Sequence, residues 1–221
     1  MAAFHPSVEE LPETFAIFPL EGALLLPRGR LPLNIFEPRY LAMIEDALGA
    51  GRMLAMIQPD GTGQTSPHGP RLYSVGCLGR VSSFSETDDG RLLITLTGVA
   101  RFETGAEIEM RRGYRRVRGD FSRFLDDLSL EERPIGVERD ALVTALRGYF
   151  GRRKLDANWD AIKRIQDDML VVTLAMTCPF EPAEKQALLQ APQDADRAAA
   201  LLVLLQMGAA ASDDPPSHRV S

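Results

Sequence analysis

Five arginines and a tyrosine fall within eight residues, Arg111-Arg-Gly-Tyr-Arg-Arg-Val-Arg118. Guanidinium forks beside an aromatic ring are groups that hold single-stranded RNA, the forks on phosphates and the ring under a base. Arg111, Arg112, Tyr114, Arg115, Arg116 and Arg118 are therefore the candidate nucleic-acid contacts. Against that, Glu103, Glu107, Glu109 and Asp120 flank the segment on neighbouring strand-like stretches, where cross-strand ion pairs are the ordinary outcome and a charged hairpin edge blocks edge-to-edge pairing. The formal net charge of −6 adds no general attraction to nucleic acid or anionic lipid.

Catalytic chemistry finds less support. The chain has neither a G-x-x-x-x-G-K-[ST] phosphate cradle nor a G-x-S-x-G nucleophile turn, and Gly61-Thr-Gly63-Gln-Thr-Ser66 lies in a loop bounded by prolines. His5, His68 and His218 are scattered over an N-terminal arm, that loop and a C-terminal tail, so no metal site is expected. The spacing of Asp160, Lys163, Arg164, Asp167 and Asp168 predicts ion pairs along a wet helix face. Asp126-Asp127 and Glu131-Glu132 read as solvating charge in a linker. Lys154, Lys163 and Lys185 read as solvated helix positions. Cys77 and Cys178 are far apart and read as small core residues, not a disulfide. The expectation is a protein with no enzymatic activity and no cofactor.

The elements that would carry these residues divide near residue 122. Short apolar runs at 14–19, 23–26, 33–36 and 53–58, punctuated by Pro19, Gly22, Pro27, Gly29 and Pro32, read as strands. A helix interrupts them, opened by Pro38 and closed by Gly49. Residues 59–70 can only be a loop. Runs at 72–85 and 91–97 flank the hairpin signal Asp89-Gly90, and 99–110 and 114–121 complete a curled sheet or small barrel. From about 135 the period is helical: one long helix over 156–177, a second over 181–190 and a third over 194–207. The domain reading is an arm over 1–13, a β-barrel lobe over 14–121, a linker over 122–134, a helical lobe over 135–207 and a disordered tail over 208–221. No apolar run is long enough to span a bilayer and no leader is evident, so a cytoplasmic location is expected.

Phe18-Pro-Leu20, Leu31-Pro-Leu-Asn-Ile-Phe-Glu-Pro-Arg-Tyr40 and Ala47-Leu48 resemble the N-terminal substrate-binding domain of the Lon protease. The likeness continues in order through Tyr73-Ser-Val-Gly76, Asp89-Gly-Arg-Leu-Leu93, Gly98-Val-Ala-Arg-Phe102, Glu184-Lys-Gln-Ala-Leu-Leu-Gln190, Asp196-Arg197 and Leu201 to Leu205. It covers roughly residues 14 to 207. The resemblance implies an α+β fold, an N-terminal PUA-like β-barrel lobe followed by a C-terminal α-helical lobe. It also implies a non-catalytic module that recognises unfolded or partly folded polypeptide clients, in protein quality control, through an apolar groove on the barrel lobe or between lobes. A separate ATPase or protease is the partner class that goes with it. The alternative is an RNA-binding PUA-like protein using Arg111 to Arg118. Within the signature, Pro32, Leu33, Ile35, Phe36, Pro38 and Tyr40 would place a strand and start a helix, with Glu37 and Arg39 satisfying charge and backbone at the junction.

Overall fold

A computed structural model describes residues 6–210, which contain eight strands and six α-helices in an α+β arrangement. The strands are β1 (Thr14–Pro19), β2 (Arg30–Ile35), β3 (Met53–Ile57), β4 (Thr65–Ser66), β5 (Gly69–Pro70), β6 (Val75–Glu86), β7 (Leu92–Arg111) and β8 (Tyr114–Asp120). The helices are α1 (Pro38–Gly49), α2 (Arg139–Arg153), α3 (Trp159–Arg164), α4 (Asp167–Thr177), α5 (Pro182–Gln190) and α6 (Asp194–Ala210).

Two compact units result. Among the described residues one holds 6–132 and 172–190, the other 133–171 and 191–210, and the division falls within α4 between Val171 and Val172.

In the first unit the sheet order is β2-β7-β6-β3-β1-β8, and β8 pairs again with β7 to close a barrel. β7 serves both ends because the two strands read at 91–97 and 99–110 are one strand through Gly98. Phe15, Ile17, Ile57, Leu78, Phe102 and Val117 fill the interior, with Phe15 edge-on to Phe102 at 4.8 Å between ring centroids. Burying each such side chain contributes ~1.5–3 kcal/mol. The run at 23–26 is buried at Leu24, Leu25 and Leu26 but forms no strand. Its apolarity reflects burial of a loop, and Pro27 beyond it makes only an isolated bridge to Gly98.

The stretch read as a linker starts with a 3-10 helix, Ser122–Leu128, whose Phe124 and Asp127 are buried. Asp127 is thus not solvating charge. Its carboxylate accepts from Arg101 Nε and Nη2, each at 2.8 Å, and from the Arg101 backbone N–H at 2.9 Å. The two side chains are only 4% and 5% exposed. Arg101 stacks over Phe124 and donates to the Leu189 carbonyl, so one guanidinium ties β7 to the 3-10 helix and to α5. Gln186 of α5 donates to Val75 O and accepts from Gln58, and Lys185 donates to Gly22 O. These contacts explain why 172–190 sits with the strands, where its helical period had grouped it with 135–207. Period identifies a helix but not the surface it packs on.

In the second unit α2 and α6 pack together. Gly208 and Gly148 allow the approach: a Cβ on Gly208 would meet the Tyr149 ring at 2.5 Å, and Gly148 faces Ala209. α6 continues to Ala210, three residues past the expected helix end at 207, and 211–221 lie outside the described residues. The single helix expected over 156–177 is two. Ile165 is extended at φ −75° and ψ 136°, and Arg139 takes up the Ile162 and Ile165 carbonyls and pairs with Asp167. Carbonyls satisfied by a guanidinium need no helical N–H. Among the described residues the ion pairs expected at a spacing of four do not form: Lys163 pairs with Asp160 three residues back, Arg164 donates to the Asp160 carbonyl, Asp167 pairs with Arg139 across the break, and Asp168 is buried.

Removing one partner of the Arg101–Asp127 pair strands a buried charge, at a cost of ~3–5 kcal/mol. Urea unfolding followed by circular dichroism should show that loss for Asp127→Ala, and a smaller one for the double variant Arg101→Met, Asp127→Leu. A loss for Asp127→Ala below about 1 kcal/mol, the range of an exposed pair, contradicts this account.

Candidate functional site

Beyond Gly98 the barrel gives way to three strands only: β2, the first part of β7 and the last part of β6. Their register aligns Leu33, Ile94 and Phe84 in one row, with Pro32, Thr95 and Ser83 before it and Asn34, Leu93 and Ser85 after it. Successive rows face opposite sides of the sheet. The buried side is set by Leu31, Leu96 and Val81 in the next row of the same parity, of which Leu96 and Val81 are fully enclosed. Residues 32–34, 83–85 and 93–95 line a cavity of about 480 Å³.

Large apolar side chains stay in water here. Phe84 is 49% exposed and Leu93 48%, and Phe36, directly after β2, is 61% exposed with Arg91 over its ring. Isolated exposed apolar residues carry little meaning, but several close together around one end of a sheet mark a candidate binding surface.

The signature residues divide between folding and surface. Ile35 and Tyr40 are buried, Tyr40 against Phe18 at 4.2 Å, and burial raises the Tyr40 phenol above its ordinary value. Pro38 takes the first helical position, where no N–H is missed. Arg39 pairs with Glu37 at 2.8 Å and lies over the Tyr40 ring. Pro32 and Leu33, in contrast, line the cavity. Leu93, on the outer side, and Phe84, in the row that continues the buried side, also border it; both were passed over as ordinary strand residues, since alternation reveals neither that the outer side lacks a covering layer nor that the cover of the other side stops short of Phe84.

The arginine segment is largely occupied with its own fold. Arg112 pairs with Glu45 at 2.8 Å and Asp46 at 3.1 Å, and Arg111 with Asp46 at 3.1 Å. These partners lie on α1, not on the flanking strands. Arg115 is buried and pairs across the hairpin with Glu107, while it donates to Pro70 O and Ser66 Oγ and so holds β4 and β5. Arg116 and Arg118 have no ion-pair partner among the described residues. Glu103 goes to Arg123, and Asp120 accepts from the Ser122 N–H.

Tyr114 donates to Asp46 at 2.7 Å. That hydrogen bond is the main cause holding Asp46 below its ordinary value, with Arg112 and Arg111 adding to it. Burial, followed by the same bond, pushes Tyr114 up to about 12.

A second, polar cavity of about 530 Å³ lies beside the register shift between Thr104 and Glu107, and its charges are matched, Asp60 by Arg71 and Glu107 by Arg115. Among the described residues no cluster of three or more His, Cys, Asp or Glu could hold a metal ion. His5 and His218 lie outside them. Cys77 and Cys178 are buried free thiols, and no described helix is long and apolar enough to cross a membrane. Lys185 is half-buried, and burial lowers it below its ordinary value.

The model of the ATP-dependent protease La (LON) substrate-binding domain matches residues 14–207. Lon protease 2 of Thermus thermophilus is 22% identical over 203 residues, 89% of this chain and 24% of that protein. Lon protease of Desulfosudis oleivorans is 29% identical over 99 residues, 44% of this chain and 12% of its own length. The chain thus spans a quarter or less of these curated relatives. A crystal structure of a Lon N-terminal domain protein from Xanthomonas campestris has the same fold, with a TM-score of 0.58 at 21% identity over 86% of this chain and 97% of that one. The N-terminal domain of Mycobacterium avium complex Lon protease gives 0.56 at 16%, over 87% and 97%.

The Tyr114–Asp46 bond needs an ionised carboxylate and a protonated phenol. Asp46 is depressed in the fold, so its contribution is present above about pH 3.8 and lost as pH falls through the depressed value. Tyr114 is raised, so its contribution is present below about pH 10 and lost as pH rises toward about 12. Tyr114→Phe should therefore destabilise by a constant amount between those limits and by less outside them, measured by urea unfolding across pH. A difference that persists unchanged past pH 12 contradicts the assignment.

Proposed function

The chain belongs to the Lon substrate-binding domain family, and from that premise we propose that it is a binding module without chemistry of its own, which takes unfolded or partly folded polypeptides as clients. The observation that carries this reading is the cavity between β2, β7 and β6, with Phe84 and Leu93 beside it in water. A native protein has buried the apolar segments that such a surface would cover, whereas an unfolded chain presents them. The relatives matched are Lon proteases by name, which supports an ATP-dependent protease as the partner class that receives the client. The two buried free thiols support a reducing, cytoplasmic location.

Nucleic acid fits less well. Three of the five clustered arginines are engaged by carboxylates. Arg116 and Arg118 alone would give a salt slope of only about −1.4 on single strands.

Covering a few apolar side chains at ~1.5–3 kcal/mol each, less the cost of ordering the client, gives affinities of roughly micromolar order. Calorimetric titration of a destabilised client against its native form should show binding only to the former. That binding should survive a rise in salt. Leu93→Asp should weaken it by about tenfold or more, and Arg116→Glu with Arg118→Glu should leave it unchanged. Equal affinity for both client forms, or sensitivity to the arginine variants with none to Leu93→Asp, overturns the reading.

A further inference from the structure

β2 ends the sheet order, so among the described residues one of its sides has no strand partner. Which main-chain groups point that way follows from two observations. Gly98 N–H donates to Gly29 O at 2.9 Å, and the 29/98 alignment continues unbroken through Arg30/Thr97 to Ile35/Leu92. Backbone groups alternate along a strand, so residues 31, 33 and 35 face β7 and residues 30, 32 and 34 face outward. Pro32 agrees independently, since a residue without an N–H belongs where the donor would have met solvent. The open side therefore offers the N–H and C=O of Arg30, the C=O of Pro32, and the N–H and C=O of Asn34.

Among the described residues nothing covers these positions: Arg30, Pro32 and Asn34 are all exposed. Arg30 also has no ion-pair partner among the described residues, which leaves a cation at one end of the edge. Residues 30 to 34 span roughly 13 Å, the reach of a five-residue extended segment. The cavity begins at Pro32 on this same strand.

We propose that the client is held as an added strand: an extended apolar segment pairs its main chain with the outer edge of β2, places alternate side chains toward the cavity, and sets an acidic side chain or its terminal carboxylate against Arg30. This rests on the polypeptide-binding reading above and adds how the polypeptide is recognised. Main-chain pairing is indifferent to sequence, as a binder of many unfolded clients requires, and Arg30 supplies the charge preference.

The direct test uses the full chain and a labelled seven-residue apolar peptide ending in Asp. Two further versions carry backbone N-methyl groups at alternate positions, one set on the odd residues and one on the even. Fluorescence anisotropy should show one set weakened by at least roughly tenfold, having lost the donors that face β2, and the other unchanged. Asn34→Pro, which deletes an outward donor and spares the bonds to β7, should weaken the unmodified peptide, and Asn34→Ala should not. Arg30→Glu should shift preference to a peptide ending in Lys. If both methylated sets bind like the parent while Leu93→Asp still abolishes binding, the added strand is wrong and the polypeptide-binding reading stands. If no peptide binds, both fail. If the chain is a dimer that Asn34→Pro dissociates, a second copy occupies the edge and the proposal is overturned.

Discussion

Gly98 is where the molecule is most tightly constrained. Its N–H bonds to Gly29, its carbonyl accepts from Arg28 at 2.9 Å, and the Leu26 carbonyl lies so near that a Cβ has no place. Across the sheet it faces Gly79, where a Cβ would meet Leu25 at 2.7 Å and where the register of β6 on β7 shifts. Two glycines thus let a buried loop cross the sheet at the point where β7 exchanges partners. On one side β7 closes the barrel with β6 and β8, and on the other it supports only β2 and the end of β6. The open three-stranded block, its cavity and its free edge all follow from that exchange.

The barrel is held in shape by polar contacts that the hydrophobic core alone would not specify. Arg101 joins β7 to the 3-10 helix and α5, Gln58 and Gln186 join the β3 side to α5, and Arg115 fixes the β4–β5 loop. Each is satisfied by several partners, as a buried polar group requires. Arg111, Arg112 and Tyr114 do the same at the far hairpin through Glu45 and Asp46. Charge that looked like a ligand surface in the sequence is therefore mostly spent on fixing loops and helices to the barrel.

What could be read from residues alone depended on local signals. β1, α1 with Pro38 at its start, the Asp89-Gly90 hairpin and α5 carry their periodicity and punctuation on a few adjacent residues and appear where expected. The failures required distant partners. Asp127 reads as linker charge until Arg101 is placed beside it, the break at Ile165 is invisible without Arg139, and buried Leu24, Leu25 and Leu26 resemble a strand until Gly98 shows why they cannot pair as one. The candidate site was legible only in part: Pro32 and Leu33 were singled out within the signature, but Phe84 and Leu93 look like any strand residues until their exposure is known.

The central claim is that the block formed by β2, β7 and β6 is the surface that meets a polypeptide. Hydrogen exchange read by mass spectrometry, on the full chain with and without a permanently unfolded client, tests it without altering a residue. The account predicts slowed exchange in 30–36 and 83–95 when the client is present, and no change in 111–118. Slowing confined to 111–118, or absent from both regions under conditions where the client is bound, would contradict it.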